Sequence, residues 1–253
     1  MLGGNPALQL DKFRSEAETH HGPAVMTVTG AVTKTAILTA LLIAAGGVGW
    51  VVCHPDTETY IASPAQKQVL MFGSAIAAFV IALVLCFVPR LSPFLAPIYA
   101  ILEGIFVGAI SSYYAKIWHG IVPQAALLTV GLLVVMLFAY TSRAIRATPA
   151  LTKGILFATA SIFLVYMATI VLRMFGGDIP YIHNSGPIGI GFSVIVVGIA
   201  AFNFILDFDL IERGARSGAP KYMEWYAAFG LLVTLAWLYL EVLRLLSKIR
   251  SSD

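Results

Sequence analysis

The sequence predicts an all-α integral membrane protein, a seven-transmembrane-helix bundle, and three observations carry that reading. Hydrophobic residues fill 59% of the 253 positions and charged residues only 11%, far less charge than a soluble domain needs to cover its surface. The mean hydropathy is +0.87. Seven stretches each approach the about 20 mostly apolar residues that cross a hydrocarbon core about 30 Å thick.

In order they are Thr35–Val52, Val69–Val88, Pro93–Tyr113, Pro123–Tyr140, Ile155–Met174, Pro187–Leu210 and Gly230–Ser247. The separators are short and hold the polar, Gly and Pro residues: His54-Pro55-Asp56 after the first span, Gly176-Gly177-Asp178 after the fifth, Arg213-Gly214-Ala215-Arg216 after the sixth. Loops this short leave no room for a second folded domain. Residues 126–135 are apolar on every side, whereas a β-barrel strand alternates apolar and polar. A barrel is therefore excluded.

Residues 1–33 read as a soluble, mobile N-terminal tail, and residues 34–253 as the membrane domain. Gly3, Gly4, Asn5 and Pro6 and the mixed charges Asp11, Lys12, Arg14, Glu16 and Glu18 mark the tail. It lacks the basic region and adjoining apolar core of a signal peptide, so it is expected to be retained, with the first span serving as its own insertion signal.

Basic residues concentrate in the tail (Lys12, Arg14, Lys34), at Arg90, in the fourth loop (Arg143, Arg146, Lys153) and in the sixth (Arg213, Arg216, Lys221), against Lys67, Lys116 and Arg173 in the alternate loops. This distribution sets the N-terminus inside. Seven crossings then carry Lys248 and Arg250 outside, against the same rule, so either the earlier loops dominate or the last segment does not cross completely. Trp50, Tyr60, Tyr113, Tyr114, Trp118, Tyr181, Trp225 and Tyr226 fall near span ends and are expected to anchor at the interface. Cys53 and Cys86 follow no metal or redox spacing and read as packing residues. Gly104 and Gly108 form a small-xxx-small pair that lets helices approach closely.

Four polar residues lie deep enough to carry chemistry. Glu103 falls near the middle of the third span, Asp207 ends the apolar part of the sixth, and Glu241 lies well inside the seventh; Asn203 sits one turn before Asp207 on the same face. An ionisable residue inside a span is a functional hypothesis by default. Asp209 and Glu212 can reach water at the end of the sixth span and read as interfacial charges, and Arg244, one turn from Glu241, reads as snorkelling outward. Asp207 and Glu241 reach equal depth if the sixth helix runs on through Arg213 and Pro220–Phe229 lies flat in the interface, with the last span starting near Gly230.

The stretches Asp207-Phe208-Asp209-Leu210-Ile211-Glu212, Leu238-Tyr239-Leu240-Glu241-Val242-Leu243-Arg244, Leu102-Glu103-Gly104-Ile105-Phe106-Val107-Gly108 and Val32-Thr33-Lys34-Thr35 resemble the Bax inhibitor 1-like (transmembrane Bax inhibitor motif) family, its bacterial branch in particular. The resemblance covers residues 24–253. It implies a seven-helix bundle with the last helix central and a pH-sensitive calcium leak governed by acids on the sixth and seventh helices. Asp207 matches the family's sixth-helix aspartate; Glu241 stands where the family has Asp. The resemblance also implies an arginine latch, for which Arg90 is the nearest candidate. If the source is bacterial, it places the chain in the plasma (inner) membrane.

Two carboxylates held close in low dielectric cannot both ionise cheaply, so they titrate as a coupled pair around one proton. Calcium takes roughly six to eight oxygens at about 2.3–2.6 Å, and Asp207 and Glu241, as metal ligands, with Asn203, carbonyls and water, could supply a loose site suited to permeation. The expected partners are membrane lipid, calcium and protons, with no nucleic acid and no cofactor.

A proton-coupled transporter using Glu103, Asp207 and Glu241 as a relay, or a stress-regulating scaffold, are the alternatives. An enzyme is not expected. The histidines His20, His21, His54, His119 and His183 all lie in loops or the tail, away from any serine inside the bundle, and no His-Glu-x-x-His is present.

Overall fold

The computed structural model describes residues 25–54, 63–177 and 186–252. The expectations for residues 1–24, for Pro55, Asp56 and Asp178, and for Tyr60, Tyr181, His20, His21 and His183 lie outside them. The described residues form seven helices: α1 (Val28–Cys53), α2 (Pro64–Phe87), α3 (Ser92–Ile117), α4 (Ile121–Thr141), α5 (Pro149–Met174), α6 (Pro187–Arg216) and α7 (Met223–Arg250), with a 3₁₀ turn at Pro89–Leu91 between α2 and α3. All seven are long and apolar enough to cross a membrane, and the chain is an integral, multi-pass membrane protein.

Local chemistry sets where the helices begin. Thr27 caps α1 by accepting the Gly30 amide, Ser63 and Gln66 form a reciprocal capping box at α2, and Thr148 accepts from Leu151 ahead of Pro149 at α5; each satisfies an amide that has no partner within the helix. Gly218, at φ 72°, takes the left-handed conformation that ends α6 and starts the short turn to α7.

Two boundaries differ from the sequence reading. The first helix starts at Val28, so residues 28–33 belong to α1 and not to a tail; the Thr27 cap and a backbone bond from Met26 to the Ala219 carbonyl, 2.7 Å, fix its entry. The last helix starts at Met223, not near Gly230, and Met223, Glu224 and Tyr226 to Gly230 are buried. No flat interfacial segment exists there. Tyr226 is wholly buried and is not an interface anchor. As expected, α6 runs on past Arg213, to Arg216.

The last helix is the centre of the bundle. It packs against α1, α3, α4 and α6 and touches α5 through a hydrogen bond from Tyr166 to Glu241. Phe229 on α7 is 1% exposed, while Phe87 on α2 and Phe138 on α4 are 82% and 72% exposed. The apolar outer surface is the one a bilayer covers.

Helices α1 and α3 meet through glycines. A Cβ at Gly104 would run into the Leu42 carbonyl oxygen, one at Gly108 into that of Gly46, and one at Gly49 into that of Ile105. The small-residue spacing read at Gly104 and Gly108 thus marks a close backbone contact.

Successive crossings place the start of α1, the 3₁₀ turn, the α4–α5 loop and the α6–α7 turn at one end, which holds most of the arginines. The opposite end ties the C-terminus to the α3–α4 turn, where Arg250 donates to the His119 carbonyl at 2.6 Å and to Gln124 Oε1 at 2.8 Å. Helix α7 therefore runs the whole length of the bundle.

Candidate functional site

The interface of α6 and α7 carries the deep polar groups. Asp207 lies on α6 nine residues before its end and is 0% exposed. Its carboxyl faces Thr234 of α7, whose hydroxyl leans toward its own Gly230 carbonyl at 3.4 Å. Neither Asp207 oxygen meets a hydrogen-bond partner among the described residues. Native proteins seldom leave a buried polar group in this condition.

Asn203, one turn back on α6, points its amide elsewhere. Nδ2 donates to the Ile199 carbonyl at 2.8 Å and to Thr159 Oγ1 of α5 at 3.1 Å. The amide stitches α6 to α5.

Glu241 is the better-served acid. The Tyr166 hydroxyl sits 2.9 and 3.0 Å from its two oxygens, Arg244 Nη1 3.1 and 3.2 Å from them, and Trp237 Nε1 3.3 Å from Oε1. The Arg244 guanidinium lies 4.8 Å from the centroid of the Tyr166 ring, adding a cation–π contact. Arg244 thus folds back onto the acid instead of snorkelling away. Further along α7, Lys248 donates to Ser193 Oγ at 2.9 Å and to the Gly189 carbonyl at 3.0 Å.

Asp207 and Glu241 consequently have separate surroundings. Asp207 is level with Thr234, and Glu241 lies seven residues further along α7, a rise of about 10 Å at 1.5 Å per residue. The equal-depth expectation fails because α7 begins seven residues earlier than the sequence suggested, which slides Glu241 past Asp207. Asp207 faces Thr234, Asn203 bonds to Thr159 and Glu241 bonds to Tyr166 and Arg244, so the three do not form one ligand set in this arrangement, and among the described residues no group of three or more His, Cys, Asp or Glu side chains converges.

The remaining sequence candidates lie apart. Glu103 on α3 lies beside Tyr99 one turn away, and the Tyr99 ring packs edge-on against Phe229 of α7 with centroids 4.9 Å apart. Arg90 is exposed in the 3₁₀ turn. It makes no hydrogen bond to Asp207, so no latch is closed here.

Sequence reasoning passed over three groups. Tyr166 is a single hydroxyl in an apolar span, and nothing local marks it. Thr234 is equally plain. Glu224, read as part of a surface segment, is 0% exposed and accepts from the Thr27 amide at 3.0 Å, the Thr27 hydroxyl at 2.9 Å and Lys221 at 2.7 Å, with Lys34 at 3.9 Å. It pins the entry of α1 to the start of α7.

A family model described as Bax inhibitor 1 like matches residues 5–251. No curated protein and no solved structure matches the chain.

Proposed function

Because the chain belongs to the Bax inhibitor 1 like family, we propose that it is a pH-regulated cation leak, with calcium the physiological ion, in which Asp207 is the proton-controlled gate and Glu241 a second acidic station further along α7. The observation that carries this reading is the Asp207 carboxyl, sealed at the centre of the bundle with neither oxygen hydrogen-bonded. A neutral acid tolerates that setting at modest cost. An ionised one costs several kcal/mol unless water, a cation or a donor reaches it.

Protonation therefore favours the closed packing of α6 on α7, and loss of the proton favours an arrangement that admits water or a cation. Two stations offset by a rise of about 10 Å along α7 suit conduction better than one tight cage, since an ion must leave as readily as it enters. The basic residues at the start of α1 and in the α4–α5 and α6–α7 connections support an orientation with that end in the cytoplasm.

The test is calcium entry into liposomes holding the purified full-length chain, with Glu241→Gln alongside. A leak that Glu241→Gln weakens supports the reading. Calcium-independent exchange of an organic solute for protons would instead favour a transporter.

A further inference from the structure

A second site lies at the arginine-rich end. A cavity of about 1030 Å³ opens between α1 and α4, with α6 and α7 behind it. Helices α1 and α4 each pack on α7 and stand apart from one another across it. Its volume is at the upper limit of small-molecule pockets, roughly 300–1,000 Å³. Val32, Leu133, Leu137, Phe208 and Leu231 form its apolar lining.

The rim is built from Arg143, Arg146, Arg213 and Arg216 with Asp209 and Glu212. Arg213 pairs with Asp209 at 2.7 Å, and Arg216 and the Tyr140 hydroxyl both bind Glu212. Arg143 and Arg146 have no carboxylate partner among the described residues. The rim thus keeps two uncompensated positive charges above an apolar chamber.

Arg143 is also the one non-glycine described residue at positive φ, 60°. It occupies the position just past the end of α4 where glycine is the usual choice. A side chain with this charge, held where glycine would be unstrained, points to a role at the rim.

We propose that this cavity binds an anionic phospholipid of the surrounding leaflet, its phosphate held by Arg143 and Arg146 and an acyl chain laid between α1 and α4. Charge and shape agree on this occupant. The chamber is apolar where acyl chains lie, and its mouth is cationic at the end of the spans, where phosphates lie. Arginine suits phosphate because its planar fork donates two parallel hydrogen bonds. A zwitterionic lipid brings its own cation against the arginines and is disfavoured.

The test is native mass spectrometry of the full-length protein titrated with phosphatidylglycerol, phosphatidylcholine and water-soluble glycerol phosphate. Phosphatidylglycerol is expected to be retained in preference to phosphatidylcholine, with no retention of glycerol phosphate. Arg143→Gln/Arg146→Gln is expected to weaken phosphatidylglycerol binding roughly 30-fold, at about a fivefold loss per basic residue. Ala36→Trp, which narrows the chamber from an exposed position on α1 and leaves every arginine in place, is expected to weaken retention. Lys116→Gln at the opposite end should change nothing. Equal retention of both lipids, binding of glycerol phosphate alone, or full phosphatidylglycerol binding by Ala36→Trp would overturn the proposal.

Discussion

Arg244 holds Glu241 within one turn of α7, with a single guanidinium nitrogen 3.1 and 3.2 Å from the two carboxylate oxygens and the Tyr166 ring stacked beneath. The acid is almost fully buried, and the arginine side chain is 36% exposed. Glu241 therefore already has an internal cation. Any ion that binds Glu241 must displace Arg244 or share the carboxylate with it.

Arg244→Gln removes that competitor and leaves a buried acid with only Tyr166 and Trp237. The variant is expected to lose about 2 kcal/mol of stability, less than a fully desolvated pair because Arg244 reaches water. Combining it with Glu241→Gln should recover much of the loss. Thermal melting of the four proteins of this double-mutant cycle in detergent measures the coupling; strict additivity would contradict the pairing.

Tyr166→Phe deletes one hydroxyl and leaves the ring under Arg244. A hydrogen bond to a charged acceptor contributes roughly 1.5–3 kcal/mol, so a loss of about 2 kcal/mol is expected in the same melting assay. A neutral effect would place Tyr166 away from the acid.

The α1–α3 contact gives a sharper contrast between glycines. Gly108→Ala forces a methyl group into the Gly46 carbonyl, while a Cβ at Gly47 meets nothing within 4 Å. The first substitution should cost about 3 kcal/mol through overpacking. Gly47→Ala should be neutral or slightly stabilising, since alanine is the better helix former.

Glu224→Gln weakens the grip on Thr27, Lys34 and Lys221. The amides of Met26 and Thr27 should then exchange hydrogen faster while those of central α7 do not, because only the entry of α1 depends on this cluster. Hydrogen exchange resolved by peptide checks it.

The seven helices were legible because a bilayer demands long apolar runs and composition alone reveals them. Ends were less so. Val28 to Thr33 carry enough threonine and glycine to pass for a tail, and only the Thr27 cap and the Met26–Ala219 bond show where α1 starts. Met223 to Phe229 carry enough polar and aromatic residues to pass for an interfacial strip, yet Glu224 is satisfied by charges from α1 and the α6–α7 turn, which no local pattern reveals. That one boundary determined the site. Asp207 and Glu241 were found from depth, but their register across the α6–α7 contact depended on where α7 begins. Tyr166 was invisible because its meaning comes from a different helix.

In the proposed function, the proton on Asp207 controls the leak. The most direct measurement is calcium flux into liposomes from about pH 5 to about pH 8 for the wild type and Asp207→Asn, since the amide is nearly isosteric with the neutral acid and cannot ionise across the range in which a buried carboxyl titrates. With Asp207 as the gate, wild-type flux rises with pH as Asp207 loses its proton, and Asp207→Asn stays low and flat. A variant whose flux follows pH as the wild type does would contradict it.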